Sequence, residues 1–273
     1  MNNWPIDYEE VISVLSGIDD WLISLNIKPK YDRLHRYIDV LRCIQQKIKT
    51  DGPATPDGLS QDLFGLQEGL EFYDIMRAFA HEPSSLLRSK LVRALSGSAH
   101  PSLEQKHSTD ARNITFELAL AAEWKLLGLD VMIGEPDITL RIGTVEYIIE
   151  CKRPYRAESI RPNVRDAADQ LSKELNKGGR EAAMGVIAIS VGRVLYFGQT
   201  IWHLTDLERS NDLGSAVHDA ILENRKHWTS YDIHSRVAAV LARLRHSEFD
   251  PPTRRCTPAF HVIMEKVTSL YNQ

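Results

Sequence analysis

The strongest constraint on the fold lies between residues 113 and 190, where helical and extended patterns alternate. The stretch NITFELALAAEWKLLG predicts a helix that ends at Gly128, and three short runs typical of β-strands follow it: DVMI, DITLRI and EYIIEC. A second helix is predicted over 162–177, with Pro162 in its first turn, and the apolar run GVIAIS predicts a buried strand. The order αβββαβ predicts an α/β fold.

The segments on both sides of this core are predicted to be helical. Apolar residues recur at helical spacing from Val11 to Leu25 and from Leu34 to Ile48, and Ser60 and Ser84 are suited to cap two further helices. Beyond Phe197, helices are predicted at roughly 212–226, 230–247 and 258–271.

These patterns, together with a Ser-, Gly-, His- and Pro-rich stretch near residue 100, predict that the chain divides into four parts. The predicted parts are a helical N-terminal region for assembly or substrate selection (1–96), a linker (97–110), the α/β core (111–200), and C-terminal helices packing on that core (201–273).

Several classes of protein are disfavoured by the composition. The three cysteines, at positions 43, 151 and 256, form no CxxC pair, so we expect no disulfide framework and a reducing cytoplasm. No apolar run is long enough to cross a bilayer, and we expect no membrane partner. The ten histidines form no HExxH motif, and neither a GxxxxGK[ST] loop nor a GxSxG motif is present, which disfavours zinc peptidases, ATPases and serine hydrolases.

Charge is distributed unevenly along the chain. The formal net charge is −4, yet residues 150–180 carry eight Lys or Arg against five Asp or Glu. Residues 1–96 carry eleven basic against fourteen acidic residues, so this region is poorly suited to holding phosphates. A nucleic-acid contact is therefore expected along residues 150–180 and not on the N-terminal region.

Asp137, Glu150 and Lys152 form the candidate site. Asp137 begins the second predicted strand, Glu150 lies near the end of the third, and a hairpin turned at Gly143 would bring the two acids together. Residues two apart on a strand share a face, so Glu150 and Lys152 face one site while Cys151 points away and offers only its carbonyl oxygen. Paired carboxylates of this kind hold Mg²⁺, with Mn²⁺ as the expected substitute, in phosphodiester hydrolysis.

The segment EPDITLRIGTVEYIIECKRP resembles the signature of the PD-(D/E)xK nuclease superfamily, to which restriction endonucleases belong. Pro136 and Asp137, then Glu150, Cys151 and Lys152, match that signature. The resemblance covers about residues 113–190 and implies a restriction endonuclease-like αβββαβ core.

The resemblance also implies an activity and roles for the residues. A Mg²⁺-dependent nuclease is expected, with DNA as its substrate and restriction or anti-phage defence as its setting. Asp137, Glu150 and the Cys151 carbonyl would bind metal, Lys152 would orient the attacking water, and Glu117 on the preceding helix would support a second ion, with Glu123 as the alternative.

The second predicted helix supplies further candidates. Gln170 is expected near the metal-bound water or the substrate backbone, although Glu174 stands where the exonuclease branch of the superfamily has tyrosine. Arg153, Arg165 and Lys173 are the candidate contacts to phosphates. A homodimer would present two sites, as cutting both strands of a duplex requires.

Two other interpretations stay open at this point. Glu150 and Lys152 are also compatible with a solvent-facing ion pair on an edge strand. The whole chain is also compatible with a catalytically silent module of the same fold that binds nucleic acid or a protein partner through its helical region.

Overall fold

A computed structural model describes residues 8–28, 33–51, 64–98, 110–135, 137–196, 201–203, 222, 225, 235–250 and 255–266. The chain divides into two compact units. The first comprises Met1–Thr115, Tyr196–Asn211 and Arg245–Phe260, and the second comprises Phe116–Leu195, Asp212–Leu244 and His261–Gln273.

The N-terminal part of the first unit is helical, as predicted. Its described helices are α1 (Tyr8–Ser24), α2 (Arg33–Asp51), α3 (Phe64–Phe79) and α4 (Ser85–Leu95). The Ser84 side chain accepts a 3.0 Å hydrogen bond from the backbone N–H of Leu87, so the predicted cap of α4 is confirmed. Ser60 lies outside the described residues. The apolar side chains that define α1 and α2 in the sequence form the core of this unit, and examples are Leu15, Ile18, Leu22, Leu34 and Ile38.

A buried polar cluster around Glu68 lies within this helical unit. Glu68 accepts a 2.6 Å hydrogen bond from Nε of Arg112 and lies 3.5 Å from Nε of Arg33. Tyr37 donates its hydroxyl to the same carboxylate, and Arg33 also donates to Thr115 at 2.6 Å. Burial raises the pKa of the Tyr37 hydroxyl, so it stays a donor at neutral pH. One carboxylate thus compensates two buried guanidinium groups.

Strands and helices alternate along residues 110–203. They are α5 (Asp110–Leu126), β1 (Asp130–Ile133), β2 (Ile138–Ile142), β3 (Val145–Lys152), α6 (Ala157–Leu175), β4 (Met184–Ser190), the short α7 (Gly192–Tyr196) and β5 (Ile201–His203). The predicted order αβββαβ is found. Gly128 ends α5 with a φ of 81°, and Gly143 turns the β2–β3 hairpin with a φ of 60°, both in the region that favours glycine.

These strands belong to a mixed sheet in the order β1-β2-β3-β4-β6, which confirms the α/β prediction. The β1–β2 and β2–β3 pairs are antiparallel. The β3–β4 pair is parallel, with Lys152 opposite Ile189 at the carboxyl ends of the two strands. Strand β4 is buried along Gly185–Ile189, as the apolar run GVIAIS predicts. Gly185 packs closely: a Cβ there would lie 3.2 Å from a Leu175 methyl group.

Helix α6 begins five residues before its predicted start. The capping interaction that starts it lies upstream, because Ser159 accepts a 3.0 Å hydrogen bond from the backbone N–H of Arg156. Pro162 therefore lies inside the helix and not in its first turn. One face of α6 is buried against β3 and β4, and its buried residues are Ile160, Val164, Ala167, Ala168, Leu171 and Leu175.

The predicted C-terminal helices at 230–247 and 258–271 are wrong. The described residues there form β6 (Val237–Asp250) and β7 (Arg255–Lys266), which pairs with β6. Val237, Val240 and Leu244 have helical spacing, but Ala239 and Leu241–Arg243 between them are buried as well. A strand buried on both faces shows no period of two, so its apolar run is indistinguishable from that of a helix. Most of the helix predicted at 212–226 lies outside the described residues.

Strand β6 pairs with β4 and β5 as well as with β7. It pairs in parallel with β4 along Val237–Arg243 and, further along, with β5 along Ser247–Phe249. None of the helices that the structure describes is both long enough and apolar enough to span a bilayer.

Candidate active site

A hydrogen bond from β3 holds the carboxylate of Asp137. Asp137 lies one residue before β2, and its Oδ2 accepts a 2.8 Å hydrogen bond from the backbone N–H of Cys151. The β2–β3 ladder ends at the Ile138–Ile149 pair, so Asp137 takes up a donor that has no partner on β2. Pro136, the first residue of the resembling motif, lies outside the described residues.

The same hydrogen bond shows where the Cys151 carbonyl oxygen points. The N–H and C=O groups of one strand residue point to the same edge of the strand. Because the Cys151 N–H points to Asp137, its carbonyl oxygen is directed to that side too. The Cys151 side chain is buried and, by the alternation of strand residues, points to the face opposite Glu150 and Lys152.

Glu150 is a buried acid with a perturbed pKa. Glu150 is only 6 % exposed, so it does not form a solvent-facing ion pair with Lys152. The pKa of Glu150 is raised to about 7, chiefly by burial and then by the negative charge of Asp137, while Lys152 acts in the opposite direction. The mutual repulsion of Asp137 and Glu150 means that a cation between them would be stabilising.

Lys152 lies on the same face as Glu150 and connects it with α6. Its Nζ lies 3.5 Å from Oε2 of Glu150 and donates a 2.5 Å hydrogen bond to Oε1 of Gln170. The i, i+2 relation of Glu150 and Lys152 is therefore confirmed as a shared face. Gln170 contacts the lysine, which the sequence did not predict, since it was expected beside a metal-bound water.

The buried Glu117 on α5 acts on Cys151. The residue is 2 % exposed, so its carboxyl group is buried. Burial raises the pKa of the Cys151 thiol, and the charges of Asp137, Glu117 and Glu150 raise it too, while Lys152 lowers it. Glu117 therefore lies close enough to β3 for its charge to act on the Cys151 thiol, whereas Asp137, Lys152 and Glu174 are the charges that act on Glu150.

Glu123, the alternative to Glu117, is occupied elsewhere. Its two carboxylate oxygens accept hydrogen bonds from Nε and Nη2 of Arg243 on β6, the former at 3.1 Å. Arg243 is 1 % exposed, and its guanidinium also lies 5.7 Å from the centroid of the Phe116 ring. Glu123 therefore neutralises a buried cation and is not available to a metal.

The candidate phosphate contacts differ in exposure. Arg165 and Lys173 are exposed on α6, whereas Arg153, directly after β3, is half-buried and its Nε is inaccessible to solvent. Arg165 and Lys173 are therefore accessible to a phosphate backbone, and Arg153 only in part.

The donor set fits a hard divalent cation. Among the residues that the structure describes, no three His, Cys, Asp or Glu side chains form a metal-binding group. Asp137 and Glu150 supply two carboxylates and Cys151 a carbonyl oxygen, and Mg²⁺ is commonly bound by one or two carboxylates with waters and substrate phosphates in the remaining positions. Oxygen donors without thiolate or imidazole favour Mg²⁺ or Mn²⁺ over zinc.

Two further features of this region were not predicted. The charge of Glu174 on α6 contributes to the raised pKa of Glu150, and Glu174 itself pairs with Arg180 at 3.0 Å. The guanidinium of Arg193 lies 3.8 Å from the centroid of the Tyr155 ring. Tyr155 and Arg193 each follow the carboxyl end of a parallel strand, where ligand sites of open α/β sheets are concentrated. Their positions directly after two predicted strands are the sequence signal that could have identified them.

Comparisons with known proteins add no family to this geometry. No protein-family model, no curated protein and no solved structure matches the chain.

Proposed function

We propose that this chain is a Mg²⁺-dependent nuclease that hydrolyses phosphodiester bonds, with DNA as its substrate and a restriction endonuclease-like core as its catalytic fold. The observation that carries the proposal is the meeting of Asp137, Glu150 and Lys152 where β3 ends, with the Cys151 N–H holding Asp137 in place. A reducing cytoplasm and a role in restriction or anti-phage defence remain part of the proposal.

The acids are suited to a cation because the negative charge of Asp137 disfavours ionisation of the buried Glu150. The pKa of Glu150, raised to about 7, reports the cost of holding two carboxylates together in a buried place. One lysine pairs with Glu150, but the charges of Asp137 and Glu174 also act on Glu150, and the charge of Glu117 acts on the neighbouring Cys151. A scaffold without a ligand gains nothing from this repulsion, which is the main argument against a silent binding module.

Each residue has a chemical task in this proposal. A bound Mg²⁺ supplies Lewis acidity, which polarises the scissile phosphate and lowers the pKa of a bound water. Asp137, Glu150 and the Cys151 carbonyl oxygen would hold the ion. The Lys152 ammonium has three N–H donors, of which Glu150 and Gln170 accept two, so the third can orient a water or neutralise charge on the phosphate.

The experiment is cleavage of supercoiled plasmid with Mg²⁺ or Mn²⁺ by the full chain. Asp137→Asn and Glu150→Gln preserve size and are expected to abolish cleavage. Glu146→Gln is the matched control, because Glu146 lies on the same strand and pairs at 3.5 Å with the exposed Arg141. Equal cleavage by Asp137→Asn, Glu150→Gln and wild type would reject the site. Metal-independent DNA binding without any cleavage would instead favour the silent module.

A further inference from the structure

A stacked pair of side chains lies at the sheet edge that carries the candidate site. Tyr155 follows the last residue of β3 by three positions, and Arg193 follows the last residue of β4 by three positions. The two strands are parallel and adjacent, so their carboxyl ends point to the same edge. Three residues of chain span at most about 11 Å, which keeps Tyr155 close to Lys152.

The geometry of the pair is that of a stacked platform. The guanidinium carbon of Arg193 lies 3.8 Å from the centroid of the Tyr155 ring, and both residues are partly exposed. The other such pairs of the described residues are wider, at 5.4 to 5.7 Å. A guanidinium this close to a ring centroid is attracted to the negative face of the ring, so the pair presents a cation and an aromatic ring side by side.

Exposed arginines follow Tyr155 of the platform along the chain, one of which, Arg156, pairs at 3.6 Å with Glu158. Arg156, the residue after Tyr155, is exposed, as are Arg161 and Arg165 on the first half of α6. Basic side chains beside an aromatic platform are the combination by which proteins bind single-stranded nucleic acid: the cations contact the backbone and the π-face takes a base.

We propose that Tyr155 and Arg193 bind an unpaired nucleobase next to the scissile phosphate, which makes the substrate class a nucleic acid with single-stranded nucleotides at the cut. The position of the base beside a scissile phosphate rests on the proposed function. The binding of an unpaired base to Tyr155 and Arg193 does not. Bases inside a duplex are stacked on both faces, so only an unpaired or flipped base can lie on the platform.

The test measures binding in EDTA, where no cleavage intervenes, by fluorescence anisotropy of the full chain. The probes are labelled oligonucleotides of about 15 nucleotides: single-stranded DNA, single-stranded RNA and a blunt DNA duplex. Wild type is expected to bind one or both single strands more tightly than the duplex, and the two arms distinguish the sugar. Tyr155→Leu is expected to weaken single-strand binding at least about fivefold and leave duplex binding unchanged.

Two variants control for a merely structural role. Tyr155→Phe keeps the ring and should bind as wild type does, and Tyr147→Leu makes the same change as Tyr155→Leu near the opposite end of β3 and should also bind normally. If Tyr155→Leu does not fold by circular dichroism, Arg193→Gln takes its place, because it removes the cation and leaves the ring; its single-strand affinity should fall while its duplex affinity does not.

The two proposals fail in different ways. Equal affinity of wild type for single strands and duplex, or unchanged single-strand binding by a folded Tyr155→Leu or Arg193→Gln variant, would overturn the platform even if the protein cuts DNA. Single-strand preference that depends on Tyr155 in a protein that never cleaves would support the platform and overturn the nuclease.

Discussion

The backbone N–H of Cys151 donates a 2.8 Å hydrogen bond to Oδ2 of Asp137. This bond lies beyond the last β2–β3 pair and joins the residue before β2 to the carboxyl end of β3. The fold therefore holds Asp137 and Glu150 near each other without a metal. Because the proposed site is preorganised, little conformational entropy would be lost when a metal binds.

Stability should depend on pH through Glu150. Its pKa is about 7 in the folded protein, well above that of an unfolded glutamate, so the folded state binds the extra proton between about pH 4.5 and 7. The free energy of unfolding should therefore be greatest below this window and fall by up to about 3 kcal/mol as pH rises through it. Urea unfolding in EDTA at pH 5, 6, 7 and 8 measures this, and Glu150→Gln should flatten the profile while Glu146→Gln keeps it.

Mg²⁺ should reverse that loss. The ion binds the deprotonated carboxylates, so 10 mM Mg²⁺ is expected to raise the Tm more at pH 8 than at pH 5.5, and the rise should vanish in Asp137→Asn. A Tm rise of the same size at both pH values would show that the ion binds elsewhere. Magnesium that leaves the Tm of wild type unchanged at pH 8 would argue against a site formed by these acids.

Gln170 is expected to act by positioning Lys152. It accepts the 2.5 Å hydrogen bond from Nζ, so Gln170→Ala should lower the cleavage rate by about 10- to 100-fold through misplacement of the ammonium. Because this hydrogen bond goes to Lys152 and not to a proposed metal ligand, the Mg²⁺ concentration for half-maximal rate should change little. Gln170→Glu keeps an acceptor and should retain more activity than Gln170→Ala. Loss of Mg²⁺ affinity in Gln170→Ala would assign the residue to the ion instead.

The exposed cations of α6 should contribute to binding in proportion to their charge. Arg165→Ala and Lys173→Ala are each expected to weaken duplex binding and to lower the slope of log affinity against log salt by about one. Lys28→Ala removes an exposed cation from the N-terminal helical unit and is the matched control. A slope unchanged in both α6 variants would make these residues an ordinary solvated face.

The Glu123–Arg243 pair should stabilise the second unit. Arg243→Met leaves the Glu123 carboxylate without its buried partner and should lower the free energy of unfolding by about 3 to 5 kcal/mol. The double variant Glu123→Leu with Arg243→Met should recover much of this loss, since it removes both charges. Chemical denaturation of wild type, Glu123→Leu, Arg243→Met and the double variant gives the coupling energy between the two side chains. Additive losses would mean that the two charges do not interact.

The order of elements in the core could be predicted from the sequence, because each is determined by local patterns. Gly128 and Gly143 mark turns that require positive φ, and the runs around Asp137 and Glu150 have the length and alternation of strands. The shared face of Glu150 and Lys152 also follows from local geometry, since residues two apart on any strand point the same way.

Other features depended on partners far away in the chain. The segments now seen as β6 and β7 have apolar spacing that a helix would also have, and pairing of β6 with β4 decided for the strand. The sequence favours Glu117 over Glu123 on the same helix, and the pairing of Glu123 with Arg243, 120 residues away in sequence, shows that Glu123 has a different role.

The sequence by itself determined the residues that can carry the chemistry and their order along the chain, because helix ends, turns and strand faces arise from neighbours a few positions apart. The tertiary structure alone decided what those residues do to one another. Burial of Glu150 beside Asp137, capture of Lys152 by Gln170 and stacking of Arg193 on Tyr155 all join separate elements. Such contacts are set by the packing of the sheet and helices, whose energies depend on non-local burial and not on local pattern.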